Sequence, residues 1–384
     1  MTTPARPIRV LVVDDSAFNR QTIATLITEA GHQVIGRAID GEEALRLAFQ
    51  LQPDVITLDL EMPKLDGFAF LRLLMARQPT PVLVISSNAT RENVFKALEL
   101  GALDFVAKPQ RQISSELLSI KNELLTKLQL VTKLRMVALA ERSQRAREVG
   151  SMSGAHRLPP EPVAVTPPTS RRDGPAPPRL IAIGASTGGP PAITQILAAL
   201  DPSLPAGIVI TQHMPVRFTK AFAERLDRTT PFTVREAEPG DAVTVGSVLV
   251  APGSGSLVLR PRDPRDPRDP RDPRDPRDKD GALRVDIVPP DASDRFVPSV
   301  DRMLESAARA MGPDVLAIIL TGMGGDGGRG VRAIKAAGGR AYAESQESAV
   351  IFGMPEEAIR TGVIDQVLPL GQMADAIARF AKKS

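Results

Sequence analysis

The chain of 384 residues has no cysteine and no tryptophan, one tyrosine and only three histidines. Without cysteine, a disulfide framework, cysteine-ligated zinc and thiol catalysis are all excluded. Aromatic residues make up 3% of the chain while apolar residues reach 42%, so any core must be built from aliphatic side chains. The net charge of +3 is small for this length and argues against nucleic acid as a main partner. No apolar run is long enough to span a bilayer. The N-terminal MTTPARPIRVLVVDDS is broken by two aspartates before it could serve as a signal peptide. The expectation is a cytoplasmic protein with neither membrane insertion nor a nucleic-acid partner.

What the sequence does have is two successive alternations of β-rich and helical patterns. In the first, IRVLVV (8–13), HQVIGRA, DVITLD (54–59), VLVISS (82–87) and DFVAK (104–108) each precede an amphipathic stretch. Those stretches fall at 17–30, GEEALRLAFQL, 65–76, 91–100 and from about 112. Five strands alternating with five helices imply a parallel sheet covered on both faces. Residues 129–178 form a linker: a charged helix-prone tail gives way to a stretch rich in Pro, Ser and Gly. A second alternation fills 179–384, giving an α/β protein of two doubly wound parallel-sheet domains. Within it, six copies of Pro-Arg-Asp (261–278, in an insertion taken as 261–280) cannot be helix or sheet interior. They read as an extended loop inside a hairpin, LVLRP before and LRVDIV after. The chain is expected to end in one short strand and one helix.

The first domain carries an acidic cluster. Asp14 and Asp15 end its first strand and Asp59 ends its third. In a doubly wound sheet, ligands sit beyond the carboxyl ends of the strands. Three carboxylates meeting there repel one another, and a hard cation such as Mg²⁺ is their natural neutraliser. Ser86 ends the fourth strand and Lys108 the fifth, adding a hydroxyl and a cation able to hold phosphoryl oxygens. The plain alternative is that strand-end aspartates cap the helices that follow.

VVDDS, LDLEMPKLDG, ISS and AKP, in that order on successive strands, resemble the receiver domain of two-component response regulators over residues 7–128. The resemblance implies a sheet of order 2-1-3-4-5, with Asp59 accepting phosphate from a histidine kinase. It further implies that Asp14, Asp15 and Asp59 hold Mg²⁺, and that Ser86, Phe105 and Lys108 form the switch that senses the phosphoryl group.

The second domain opens on LIAIGASTGGPPAI, in which Gly184, Ser186 and Gly188 form G-x-S-x-G between a strand and a helix. In that context the pattern reads as a nucleophile elbow, with helix N–H groups free to meet a developing oxyanion. The same loop could bind a phosphate, but GASTGGPP lacks the lysine of a P-loop. A serine needs a base. His32 stands before a receiver strand as a surface residue and His156 lies in the linker. His213 ends the strand GIVITQ, the topological counterpart of the strand that carries Ser186. VLAIILTGMGGDGGRG repeats the strand-into-glycine design, with Asp326 as its one carboxylate. Ser186, His213 and Asp326 are therefore the candidate triad. Their chain order differs from the Ser…Asp…His of the α/β-hydrolases. The competing reading makes Asp326 a helix cap in a packing loop.

GASTGG, QHMP, APG and TGMGGDG, joined by a linker to a receiver, resemble the chemotaxis protein-glutamate methylesterases. The likeness covers nearly the whole chain apart from the linker and the insertion. It implies phosphorylation-activated hydrolysis of glutamate γ-methyl esters on methyl-accepting chemoreceptors, with release of methanol, together with deamidation of receptor glutamines. Ser186 would be the nucleophile, His213 the base and Asp326 its orienting acid. Backbone N–H groups at Thr187 and Met323 would form the oxyanion hole, with no cofactor for the ester step. One departure is Ser256, which stands after Ala-Pro-Gly where family members often carry histidine. A different class of reading is a phospho-regulated module that binds receptors without catalysis.

Overall fold

The computed structural model describes residues 6–86, 91–107, 121, 123–128, 178–260, 283–290 and 294–382. Lys108, His156, nearly all of the linker and the Pro-Arg-Asp insertion lie outside the described residues, as does the side chain of Ser86. The chain divides into two compact units, residues 1–154 and 155–384.

In the first unit, β1 (Arg9–Val13), β2 (Gln33–Ala38), β3 (Val55–Leu58), β4 (Val82–Ser86) and β5 (Asp104–Ala107) form one sheet. Its order is β2-β1-β3-β4-β5 and every pairing is parallel. The helices α1 (Ala17–Glu29), α2 (Gly41–Leu51), α3 (Gly67–Arg77) and α4 (Arg91–Glu99) alternate with the strands. Continuous burial of VLVV in β1 and VITL in β3 is the signature of strands covered on both faces. Each of the first three helices starts on a side-chain cap. Ser16 accepts from Asn19 N, Asp40 from Glu43 N and Asp66 from Ala69 N.

The second unit holds a seven-stranded parallel sheet. Its strands are β6 (Arg179–Ala185), β7 (Ala206–Gln212), β8 (Thr233–Glu236), β9 (Ser247–Val250), β12 (Val315–Ile319), β13 (Arg340–Glu344) and β14 (Gln366–Leu368). The order β14-β13-β12-β6-β7-β9-β8 puts the serine-bearing β6 between β7 and β12, so the strand succession reverses there. Such a reversal opens a crevice at the carboxyl ends of the central strands. The helices α5 (Gly189–Ala199), α6 (Val216–Thr229) and α7 (Val300–Met311) follow β6, β7 and the hairpin, and α8 (Gly328–Ala336) follows β12. One aliphatic core is built from Leu180, Ala182, Val209 and Leu249 of the sheet with Val300, Met303, Leu304 and Ala307 of α7. Full burial of each valine, leucine or methionine among them contributes about 1.5–3 kcal/mol.

β10 (Ser256–Arg260) and β11 (Arg284–Val288) form the antiparallel hairpin expected on either side of the insertion, separate from the main sheet. The C-terminal expectation of one strand and one helix falls short. After α8 come β13, α9 (Gly353–Arg360), β14 and α10 (Leu370–Ala381). α9 has eight residues and β14 three, the latter on a partly exposed edge. Elements that short do not complete a recognisable period. Among the described residues no helix is long and apolar enough to cross a membrane.

Candidate active site and acidic cluster

The acidic cluster assembles as its strands require. Val13 and Leu58 are partners in the β1–β3 pairing, so the residues that follow them emerge side by side. One carboxylate oxygen from each of Asp14, Asp15 and Asp59 lies within 4.8 Å of the others. Asp14 and Asp59 are buried while Asp15 is exposed. Asp14 Oδ1 accepts from Ser16 N at 2.9 Å, and Asp59 Oδ1 from Glu61 N at 3.4 Å. The helix caps are Ser16, Asp40 and Asp66, so the capping alternative leaves these three carboxylates unexplained. An all-oxygen set of this kind suits a hard divalent cation. Phe105 is buried in β5, with the Lys127 ammonium 5.0 Å above its ring centre. Ser86 is the last residue of β4.

At the centre of the second sheet, Ser186 follows β6, His213 follows β7 and Asp326 lies in the loop between β12 and α8. The adjoining backbones are stitched together. His213 N donates to Ala185 O at 2.9 Å, and Ser186 N to Thr321 O at 3.0 Å. The buried Gln212 amide donates to the carbonyls of both Ser186 and His213, at 2.9 and 3.1 Å. Thr321 Oγ1 donates to Thr187 O at 2.9 Å. The small residues of the loop have stated work. A Cβ on Gly184 would come 2.4 Å from Val300 Cγ1, and one on Gly189 would come 2.1 Å from Gln212 Oε1. Gly188, with φ of +78°, makes the left-handed turn into α5.

His213 is held by an acid. Its Nε2 lies 2.8 Å from Asp326 Oδ2. Its ring stacks on Phe296, with centroids 4.7 Å apart and planes 3° from parallel. Asp326 is buried and also accepts from Ser299 Oγ, Val300 N and Asp301 N. Burial works to raise its carboxyl, but the hydrogen bond and charge of His213 with the two backbone N–H groups outweigh it. The group is held below the usual carboxylate range. An ionised carboxylate can only accept, so Nε2 carries a proton, and Nδ1 is the ring nitrogen left to accept one. That Nδ1 is buried and makes no hydrogen bond among the described residues. Ser186 Oγ likewise has no hydrogen-bond partner there, so the structure brings Ser186 and His213 to one rim without bonding them directly.

Met323 N–H has no acceptor among the described residues. It follows Gly322, where an added Cβ would sit 2.7 Å from Ser186 Cβ and 2.4 Å from Met354 Sδ. We therefore expect Gly322→Ala to displace the Ser186 backbone and cut any turnover that depends on Ser186 about 10- to 100-fold. Overpacking of this kind should cost about 1–3 kcal/mol in a denaturant titration. Activity within twofold of wild type would mean that the contact relaxes harmlessly.

The family model described as CheB methylesterase matches residues 181–377, and the response regulator receiver domain model matches residues 10–118. The chain belongs to the CheB methylesterase family. It is 44% identical to protein-glutamate methylesterase/protein-glutamine glutaminase 3 of Geobacter sulfurreducens, over 97% of both chains. It is 46% identical to protein-glutamate methylesterase/protein-glutamine glutaminase 6 of Anaeromyxobacter dehalogenans, over 98% of this chain and 97% of that one. The crystal structure of the Thermotoga maritima CheB methylesterase catalytic domain is 37% identical, covering 52% of this chain and 97% of its own at a TM-score of 0.47.

Sequence reasoning missed several residues of this CheB-family site. Gln212 stands inside the QHMP stretch and is legible there as a strand-end amide beside the histidine. Phe296 and Ser299 lie in SDRFVPS, where nothing marks them as neighbours of His213 and Asp326. Ser256 is wholly buried, and its Oγ accepts from Ser299 N at 3.0 Å. The serine is a structural tie to the start of α7. His32, read as a surface residue, is half-buried, with an Nδ1 that makes no hydrogen bond among the described residues.

Proposed function

We infer that this chain is a phosphorylation-activated protein-glutamate methylesterase, also able to deamidate glutamine, acting on methyl-accepting chemoreceptors in bacterial chemotaxis. A single observation carries the reading. At the rim where Ser186 turns into α5, a buried carboxylate accepts a hydrogen bond from His213 Nε2–H and leaves Nδ1 as the base. Ser186 Oγ attacks the ester carbonyl and its proton passes to Nδ1. The hydrogen bond to attack is made as substrate closes the site, since such contacts are commonly long before binding. Thr187 and Met323 N–H groups receive the oxyanion. The imidazolium returns the proton to the departing methoxide, releasing methanol, and water repeats the sequence on the acyl-serine to give glutamate. With a glutamine substrate the departing group is ammonia.

In the receiver, Asp14, Asp15 and Asp59 would hold Mg²⁺, and Asp59 would accept a phosphoryl group from the chemotaxis histidine kinase. Mg²⁺, when bound, offsets the negative charge of the carboxylates and of the phosphoryl oxygens. Ser86 and Lys108 would contact that phosphoryl group and Phe105 would respond to it. We assign residues 7–128 to the receiver, 129–178 to a linker and 179–384 to the catalytic domain. A cytoplasmic setting belongs to the same reading, because histidine kinase, receiver and receptor glutamates must share one compartment.

The test is methanol release from methylated receptor membranes, with and without a small phosphodonor. Release that rises with the phosphodonor in wild type, and stays at the basal level in Asp59→Ala, supports the reading. Receptor binding without methanol from either protein would favour the non-catalytic module and sink the enzyme. Equal stimulation of Asp59→Ala would sink the phosphorylation site.

A further inference from the structure

Two buried carboxylates, Asp326 and Asp301, each cap the other's helix. The first N–H groups of α7, those of Val300 and Asp301, donate to Asp326 at 2.8 and 2.9 Å. Asp301, in the first turn of α7, returns the arrangement. Its Oδ1 accepts from Gly327 N at 2.9 Å and Gly330 N at 2.8 Å, and its Oδ2 from Arg329 Nε at 3.0 Å. These donors open α8, whose own N-cap, Gly327, has φ of +105° and supplies no capping side chain. Negative charge at a helix N-terminus is favoured by the helix dipole and by otherwise unpaired N–H groups. Both carboxylates are 6% exposed, so neither cap can be replaced cheaply by water.

The consequence lies in adjacency. Gly327 is the residue next to Asp326, so Asp301 grips the peptide beside the carboxylate that holds His213. Among the described residues, three of the four donors to Asp326 belong to the start of α7, and only His213 comes from elsewhere. Without Asp301, the Asp326 carboxylate would make the remaining hydrogen bonds between its loop and the start of α7 among the described residues. A small rotation there would be felt first by the one bond to a separate strand.

We propose that Asp301 is a positioning residue for the ester hydrolysis inferred above: by capping α8 from α7 it fixes the Asp326 backbone and so the orientation of His213. The acceptor atom matters more than the charge, because Arg329 is 68% exposed and an exposed ion pair contributes little. In the full-length protein, Asp301→Ala should lower kcat on methylated receptor membranes about 10- to 100-fold with KM within about twofold. The downfield proton signal of the carboxylate-bound imidazole N–H, read by NMR on the resting protein, should broaden or vanish. Asp301→Asn keeps an oxygen acceptor for Gly327 and Gly330, and should retain that signal with kcat within about fivefold of wild type.

A folded Asp301→Ala with kcat within twofold of wild type, or with the imidazole signal unchanged, would overturn the proposal. If that variant does not fold, Asp301→Asn decides: loss of its signal would show that the carbonyl acceptor is not what holds the ring. Because the signal needs no turnover, a wild type that shows it but releases no methanol would refute the inferred activity separately.

Discussion

Replacing Ser186 by alanine should abolish turnover-linked methanol release, with a fall of about 10³-fold or more in kcat, while binding to receptor membranes stays within about twofold of wild type. The change removes one oxygen that has no hydrogen-bond partner among the described residues, at a half-buried position. The ties that shape the loop are backbone ties: Ser186 N to Thr321 O, Gly189 N to Ser186 O and the Gln212 amide to Ser186 O. None of them uses Oγ, so the fold and the surface offered to substrate should survive. Thermal melting in parallel checks that point. Residual release above about one-tenth of wild type would mean that another nucleophile, such as a water activated directly by His213, performs the reaction.

Asp326→Asn should be nearly as damaging, lowering kcat by about 10³- to 10⁴-fold, through a different cause. The amide is similar in shape and, with its oxygen at the Oδ1 position, keeps the acceptor for Asp301 N while losing the one for Val300 N, which shares Oδ2 with His213. Facing His213, however, its NH₂ can donate to Nε2. That would stabilise the tautomer with the proton on Nδ1, the nitrogen that must accept from serine. KM should change little, because Asp326 is buried behind the ring and acts through it. A kcat loss under tenfold would show that the Asp326 carboxylate does not set the tautomer.

The same group has a pH signature in stability. Its carboxyl is held below the ordinary value of 3.8. Its contribution is therefore fully present above about pH 4 and is lost as the pH falls through the lower folded-state value. Urea titrations should show the gap between wild type and Asp326→Ala narrowing only in acid. A gap that widens as the pH falls below about 4 would contradict the depressed carboxyl.

Much of this was legible in the residues because it depends on local chemistry. Runs such as VLVV and LIAI are apolar at every position, and VITL is broken only by Thr57; such runs belong to strands buried on both faces. Asp14, Asp15 and Asp59 meet because parallel neighbours end at the same level. Ser186, His213 and Asp326 could be nominated because each ends a strand, and a strand's carboxyl end is where such a sheet presents side chains. A chain of only three histidines left few choices of base.

Other features have no local signature, and tertiary structure alone decided them. That β6 lies between β7 and β12, so that a serine and an acid 140 positions apart share one rim, follows from sheet order. That Nε2 rather than Nδ1 of His213 faces Asp326, with the ring stacked on Phe296, is likewise a matter of tertiary packing. The capping of one helix by another helix's carboxylate is invisible in sequence, since Asp301 reads as an ordinary first-turn acid. Strand periodicity is written in neighbours one and two residues away, whereas ring orientation and mutual capping depend on contacts between segments brought together only by folding.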